Sequence, residues 1–353
     1  MKYFLVTLAI ICSCPAISQA DTSYLKNLYD RCLDFSEEKK DSIRYYAAYI
    51  EKEASRLKFD KGPVLSLRLK GLYEDLSNNY EKAIEYYLQS LEAARSLGAL
   101  EYEMSALSDL AILYATIKEP VRAKEFYQEC AHIANVRGET GSIINTYNNL
   151  AVIYTQLYQY DSARVLLQQA LTLAKQVSQD VDLASIYNNL GNLCFREKKY
   201  DEALGYFRKN YSNHQSNNNI SGIWVAVLNM ADVFIEQKKY DSATYYANYA
   251  LDLAQQLGSK SKEADSYSIL AKLYEHRGDY KKAYGYLKQW YALDTAIVHT
   301  ETYKTIAELQ ERFNAKEREA ENALLVEKVE KETIRSRLFI LLAIALGIIG
   351  ALI

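Results

Sequence analysis

The residue types that usually carry catalysis or metal binding are few in this chain and lie far apart. Its four histidines fall one to a region, at His132, His214, His276 and His299. No CxxC pair occurs, so the three cysteines after residue 20 are interpreted as small buried hydrophobic residues: Cys32, Cys130 and Cys194. The motifs GxxxxGKS/T, HExxH and GxSxG are absent from the sequence. We therefore predict no enzyme activity, no metal site and no cofactor.

Asparagine is the polar residue whose positions repeat. YNNLA at residues 147–151 returns as YNNLG at residues 187–191, forty residues later. An amide both donates and accepts hydrogen bonds, so asparagines along a groove can hold a ligand's backbone without demanding one side-chain sequence. The candidate groove residues are Asn148, Asn188, Asn192, Asp232 and Lys272. For Asn149, Asn189 and Asn229, the alternative is that they only bond neighbouring backbone.

These candidates belong to a longer repeat. Tyrosines stand on a forty-residue period at Tyr80, Tyr160, Tyr200, Tyr240 and Tyr280, with Pro120 at the remaining position. An alanine follows three residues later, at Ala83, Ala123, Ala163, Ala203, Ala243 and Ala283. A small residue stands nine residues earlier, at Gly71, Ala111, Ala151, Gly191, Ala231 and Ala271. An unbroken period of this size predicts a solenoid, in which each module packs on the next.

Each module divides into two helices. Apolar residues recur at helical spacing over residues 185–197, and again over residues 201–212 after a turn at Lys198. The small residue and the alanine let two backbones approach closely, and the tyrosine fills the corner where one hairpin meets the next. We predict a degenerate first module at residues 22–60 and six clear modules at residues 61–300.

The order of these residues resembles the tetratricopeptide repeat family. It is seen in Ala151, Tyr154, Tyr160 and Ala163, and again in Ala271, Tyr274, Tyr280 and Ala283. The resemblance covers about residues 22–297, although the usual period of that family is about 34 residues. It implies an all-α fold, a right-handed superhelical solenoid of helical hairpins with a concave groove along the first helices. A protein or peptide is the partner that such a groove implies.

The first twenty residues are predicted to be a secretory signal peptide, residues 1–20. Lys2 precedes an apolar run, and Ser18 and Ala20 put small residues just before a cleavage point at Asp21. The alternative is lipidation at Cys14. Export would place the repeats in the periplasm.

Two further segments follow the repeats. Residues 301–337 are crowded with charges and keep some apolar residues at helical spacing, which predicts a charged helix with coiled-coil tendency and a possible homodimer through it. The alternative is a solvated single helix. Residues 338–353 are wholly apolar and are predicted to be a clipped transmembrane helix, which would make the protein a single-pass protein of the inner membrane.

Two functions fit this order of segments. The net charge of −3 implies no nucleic-acid partner, and both functions rest on protein binding. In the first, the repeats are the sensor part of a signal-transduction receptor whose cytoplasmic output module is missing. This architecture resembles bacterial tetratricopeptide-containing membrane histidine kinases and helix-turn-helix regulators. In the alternative, the chain is a complete membrane-tethered scaffold that assembles periplasmic partners.

Overall fold

The structure is a computed structural model that describes residues 21–35, 39–177, 182–293, 318–319 and 321–338. All regular secondary structure in these ranges is helical, as the sequence predicts. The helices are α1 (Thr22–Leu33), α2 (Lys40–Leu57), α3 (Gly62–Leu76), α4 (Tyr80–Ser96), α5 (Leu100–Thr116), α6 (Pro120–Arg137), α7 (Thr140–Gln156), α8 (Tyr160–Gln176), α9 (Leu183–Arg196), α10 (Tyr200–Ser216), α11 (Ile220–Glu236), α12 (Tyr240–Gln256), α13 (Lys260–His276) and α14 (Tyr280–Leu293). They form a helical repeat solenoid in which odd-numbered helices are the first of each hairpin.

Turn residues with a left-handed backbone recur on a twenty-residue spacing. Their φ angles lie between 51° and 80°, at Lys58, Asn78, Gly98, Lys118, Gly138, Tyr158, Lys198, Asn218, Lys238, Gly258 and Gly278. The amide after such a residue donates back across the helix end: Lys199 N lies 2.8 Å from Cys194 O, and Lys239 N lies 2.9 Å from Phe234 O. This bond closes the last helical turn and satisfies a carbonyl that the helix leaves free. A seventeen-residue helix and a three-residue turn, taken twice, account for the forty-residue period.

Two of the small residues predicted from the repeat make room for an aromatic ring on the partner helix. A Cβ atom added to Gly191 would lie 2.5 Å from the ring of Phe207, and one added to Gly71 would lie 2.5 Å from the ring of Tyr87. Both rings are almost fully buried. The glycines are therefore needed for close approach of side chain to backbone, which a larger residue would prevent.

The chain divides into two compact units, and the first is residues Met1–Ala106. In this unit α1, α2 and α3 contact one another, and α3 packs along α4. Its core contains fully buried leucine and isoleucine side chains from each hairpin: Leu25, Ile43, Ile50, Leu65 and Leu69. The predicted degenerate first module thus folds as a helical hairpin, α1 with α2.

The second unit is residues Leu107–Ile353. Each described helix from α6 to α14 contacts the next along the chain, and the first helices of neighbouring hairpins also touch: α7 with α9, α9 with α11, and α11 with α13. The first helices therefore form one continuous inner layer. Its hydrophobic core contains residues of both helices of each hairpin: the second helices supply mainly alanine, such as Ala203 and Ala243, and the first helices supply larger residues, such as Leu190 and Trp224.

The predicted repeat-packing residues are buried or half-buried in every described hairpin before the last one. Five of the alanines are fully buried, at Ala83, Ala123, Ala163, Ala203 and Ala243. Tyr80 is buried and Tyr160, Tyr200 and Tyr240 are half-buried, but Tyr280 is 72% exposed and Ala283 is only half-buried. No further described hairpin covers this face of α14, so the packing role of Tyr280 and Ala283 stays a prediction.

The predicted terminal segments lie largely outside the described residues. This holds for the signal peptide at residues 1–20, for most of residues 301–320, and for the predicted span at residues 338–353 apart from Leu338. Residues 321–338 are helical and exposed along their whole length. Within the described ranges, every helix is too short or too polar to cross a membrane.

Candidate functional site

A cleft opens on the inner layer of the second unit, across α7, α9 and α11. Its volume is about 430 Å³. The lining residues are Val152, Thr155, Gln156, Tyr158, Asn189, Asn192, Phe195, Arg196, Asn229 and Asp232. Most of them repeat on the forty-residue register, since positions 152, 192 and 232 correspond, as do 189 and 229. Equivalent positions of successive repeats therefore form the cleft, and most of the side chains at these positions are polar.

The asparagine amides of neighbouring hairpins are bonded to one another. Asn189 Nδ2 donates to Asn148 Oδ1 at 3.0 Å, and Asn229 Nδ2 donates to Asn188 Oδ1 at 2.8 Å. Asn148 Nδ2 in turn donates to Ser185 Oγ at 3.2 Å. Each bond joins the inner helix of one hairpin to that of the next, so the network fixes the orientation of the Asn189 and Asn229 amides, which line the cleft.

A three-residue ion-pair cluster borders the cleft at α11 and α13. Lys272 Nζ lies 2.6 Å from Asp232 Oδ1 and 2.8 Å from Glu236 Oε1. Burial favours the neutral amine, but hydrogen bonds to both carboxylates outweigh it, and the pKa of Lys272 is raised. The hydrogen bond from Lys272 lowers the pKa of Glu236. Lys272 and Glu236 are therefore charged at neutral pH, and the Asp232 carboxylate in the cleft shares Lys272 with Glu236.

Comparison with known protein families finds the same repeat. Sequence models described as tetratricopeptide repeat match residues 66–101, 142–215 and 266–296. The chain contains tetratricopeptide repeats. A comparison with curated protein sequences finds no match.

Solved structures share the fold of these tetratricopeptide repeats. The apo form of RapI has a TM-score of 0.59 at 14% identity, covering 80% of this chain and 99% of RapI. The Rap conjugation gene regulator of the plasmid pLS20, in complex with the Phr* peptide, has a TM-score of 0.52 at 17% identity, covering 67% of this chain and 77% of the regulator. A signal transduction ATPase with a tetratricopeptide repeat sensor, from Pyrococcus horikoshii, has a TM-score of 0.50 at 16% identity, covering 78% of this chain and 42% of the ATPase. At these identities the likeness is one of fold.

The predicted groove residues fall into two groups, those that line or border the cleft and those that lie between neighbouring hairpins. Asn192 and Asp232 line the cleft. Asn148 is buried and Asn188 is half-buried, and both face the next hairpin rather than the cleft. Lys272 lies beside the cleft, paired with Asp232. For Asn148 and Asn188 the predicted groove-facing position is wrong, because the inner helices contact each other through that position.

Eight of the ten lining residues were not among the five candidate groove residues, and Asn189, Asn229, Phe195 and Arg196 are four of them. Asn189 and Asn229 were left to the alternative of bonding neighbouring backbone, whereas their amides bond side chains of the preceding hairpin and line the cleft. Phe195 and Arg196 stand four and five residues after Gly191, at the end of α9. The available signal was the register, since a residue three or four places after Asn192 lies on the same face of the helix.

No metal-binding cluster accompanies the cleft in the described part of the chain. No group of three or more histidine, cysteine or acidic residues there is arranged to hold a metal ion. His214 instead packs its ring against the backbone of Gly222, where an added Cβ atom would lie 2.3 Å from it. Cys32, Cys130 and Cys194 are buried free thiols, as predicted. The chemistry that the site offers is hydrogen bonding through amides together with one arginine and one aspartate.

Proposed function

We propose that the chain is a protein-interaction array whose inner cleft binds an extended peptide segment of a partner protein. The observation that carries this proposal is the pair of oriented amides, Asn189 and Asn229, at equivalent positions of neighbouring repeats in one cleft. A peptide in extended form has a donor and an acceptor on every residue, and side-chain amides match both.

The hydrogen-bond network leaves capacity for such a ligand. Asn229 uses one N–H of its amide on Asn188, so its carbonyl oxygen and second N–H can bond a peptide. Asn192 also lines the cleft, one helical turn after Asn189. Val152 and Phe195 add apolar surface between the amides, which suits a ligand's side chains. One structurally similar protein, the pLS20 Rap regulator, was solved with the Phr* peptide, and this supports the peptide as ligand class.

A peptide library tests the proposal. The full chain, immobilised, is offered phage displaying random twelve-residue peptides, and enriched peptides are then synthesised and titrated by fluorescence anisotropy. Replacement of Asn189, Asn192 and Asn229 together by alanine should raise the Kd at least about tenfold, since each lost hydrogen bond costs about 0.5–1.5 kcal/mol.

The matched control is Asn248→Ala on α12, an exposed asparagine that bonds only Thr244 O of its own helix at 2.8 Å. This variant should leave the Kd unchanged. Enrichment of no peptide by the folded wild-type protein, or equal binding by the triple variant and the control, would overturn the proposal.

We infer further that the array is exported and tethered at the inner membrane as the sensor of a signalling receptor. The support is the apolar N-terminal stretch with its cleavage point and the wholly apolar run at residues 338–353. A tetratricopeptide repeat sensor also occurs in the structurally similar ATPase. The test is the DNA beyond codon 353 together with protease treatment of spheroplasts. A kinase or DNA-binding module downstream and digestion of the repeats from outside agree with a sensor; repeats protected inside the cell contradict export.

A tethered scaffold is the second candidate, and it shares the export step and the cleft. An unrelated sequence after a terminator at codon 354 would favour it over the sensor.

The proposed homodimer through residues 301–337 is tested separately by light scattering. Its described part, residues 321–337, is helical and exposes Leu324, Leu325 and Val329, which supports pairing with a second copy. A monomer at micromolar concentration would exclude this dimer.

A further inference from the structure

The cleft contains one cation whose charge is not balanced by a neighbour. Two of its lining residues are charged, Arg196 and Asp232. Asp232 is paired with Lys272 at 2.6 Å. No ion pair between described residues involves Arg196, and its guanidinium is exposed at the end of α9. Lys272 also pairs with Glu236, so Arg196, Lys272, Asp232 and Glu236 together carry no net charge, and Arg196 is the one of these four without an ion-pair partner among the described residues.

Three carboxylates near Arg196 in the sequence or in the repeat register have partners of their own. Glu197 pairs with Arg164 and with Lys199, the latter at 3.4 Å. Glu236, which stands forty residues after Arg196, pairs with Lys272 at 2.8 Å. Asp201 accepts a hydrogen bond from Gln237 at 3.0 Å. The Arg196 guanidinium is thus available to an anionic group from outside the chain.

Arg196 shares a helix face with the amides of the proposed peptide site. Asn189, Asn192 and Arg196 are spaced by three and four residues on α9, so they lie in one row along the cleft. A ligand whose backbone is held by Asn189 and Asn192 passes the guanidinium within one helical turn. A guanidinium binds a carboxylate through two parallel hydrogen bonds, which is the anion geometry it fits best.

The ligand's carboxylate is assigned to a side chain rather than to a chain end. The cleft continues to α7 on one side and to α11 on the other, so a bound peptide has room to run past Arg196 in both directions. A terminal carboxylate would end the peptide there and leave the amide of Asn229 or the surface of Val152 unused.

We propose that Arg196 is a specificity-determining residue that selects extended peptides carrying an aspartate or glutamate side chain. This inference rests on the proposed peptide binding in the same cleft. It adds the chemical class of the ligand, an acidic segment, which the repeat fold by itself does not specify.

The test compares peptide libraries selected on three forms of the protein. The displayed peptides are joined to the phage through their C-terminus, so an acidic preference can come only from side chains. The wild-type protein should enrich Asp or Glu at one fixed position, and Arg196→Glu should enrich Lys or Arg there instead. Arg208→Glu reverses the charge of an exposed arginine on α10 outside the cleft and should keep the acidic preference.

One enriched peptide then gives a double-mutant cycle. Changing its acidic residue to the amide should weaken binding to the wild-type protein about tenfold or more, as for a hydrogen-bonded charge pair. The same change should weaken binding to Arg196→Gln less than twofold. Circular dichroism of each variant checks that it is folded.

The outcomes separate the two proposals. If the wild-type protein enriches peptides without an acidic preference, or Arg196→Glu keeps the acidic peptides, the specificity inference is overturned and peptide binding stands. If the folded wild-type protein enriches no peptide, peptide binding and the specificity inference are overturned together.

Discussion

The α11–α12 and α13–α14 hairpins share one sequence register but differ in what covers them. Ala243 is fully buried and Tyr240 Oη donates to His276 O of the next hairpin at 3.0 Å. The equivalent residues of α14 are a half-buried Ala283 and a Tyr280 that is 72% exposed. Burial at a repeat position therefore comes from the following module and not from the residue itself. The same substitution made at equivalent positions of covered and uncovered helices tests this dependence.

The largest expected effect is at the position seven residues after the repeat tyrosine. Phe207 is 1% exposed, whereas its equivalent Leu287 is 47% exposed. Phe207→Ala should lower the free energy of unfolding by about 3–5 kcal/mol because it leaves a cavity. Leu287→Ala should lower it by less than about 1 kcal/mol, since little apolar area is lost. Urea denaturation followed by circular dichroism measures both; equal losses would contradict the comparison.

A smaller effect is expected where an alanine is enlarged. Ala243→Leu forces extra methyl groups between α11, α12 and α13 and should destabilise the protein by about 1–3 kcal/mol. Ala283→Leu has room at the open face of α14 and should change stability by less than about 0.5 kcal/mol. Thermal unfolding of the two variants compares them directly. A loss at Ala283 as large as that at Ala243 would show that a further segment covers α14.

Glycine to alanine should change stability in opposite directions at two glycines with different surroundings, Gly191 of α9 and Gly285 of α14, which are not equivalent repeat positions. At Gly191 the new Cβ atom meets the Phe207 ring at 2.5 Å, but at Gly285 of α14 no atom lies within 4 Å. We expect Gly191→Ala to cost about 1–2 kcal/mol by overpacking, and Gly285→Ala to stabilise α14 by about 0.5–1 kcal/mol. Adding Phe207→Leu should recover most of the loss at Gly191, because Ala151 and Leu167 occupy these positions in α7–α8. If the double variant is no more stable than Gly191→Ala, the size of residue 191 is not limited by the ring at residue 207.

Removal of one hydroxyl should distinguish the two tyrosines. Tyr240→Phe loses the hydrogen bond to His276 O and should cost about 0.5–1.5 kcal/mol. Tyr280→Phe should cost nothing measurable, because the Tyr280 side chain is 72% exposed. Hydrogen exchange of the α13 amides reports the first effect locally. Unchanged exchange in Tyr240→Phe would show that the corner is held by ring packing alone.

The smallest effect is a pH dependence at the ion-pair cluster beside the cleft. The pKa of Glu236 is lowered from 4.5 in the folded protein. Its contribution is therefore present above the unfolded value and is lost as the pH falls through the folded one. Glu236→Gln should be less stable than wild type at pH 7 by under about 1 kcal/mol. The gap should close towards pH 3; a gap that stays constant would exclude the ion pair as its source.

The repeat, its helical hairpins and their packing residues could be predicted from the sequence because they recur in strict register. The positions of the turns follow from the same register. The two lysines of KKYD, at residues 198 and 199, form the turn, and α10 begins at the tyrosine, Tyr200. The surface that each asparagine side chain faces was harder to predict from the sequence. Successive residues differ by about 100° around a helix, so Asn188 faces the next hairpin while Asn189 faces the cleft.

The exposure of α14 was also beyond prediction from the repeat. Tyr280 and Ala283 carry the same signature as Tyr240 and Ala243, and only the neighbouring module distinguishes them. The same holds for Arg196. The sequence shows an arginine at this position, but only the fold shows that Glu197 and Glu236 pair with Arg164 and Lys272 and not with Arg196.

We propose that the inner helices bind a peptide and that the outer helices, the second of each hairpin, only pack. Photo-crosslinking can distinguish the two layers, with p-benzoylphenylalanine placed at Val152 in the cleft or at Val165, which is 52% exposed on α8 of the same hairpin. With a peptide enriched from the library, we predict crosslinking at Val152 and none at Val165. Crosslinking at Val165 alone, or equally at both positions, would contradict the account.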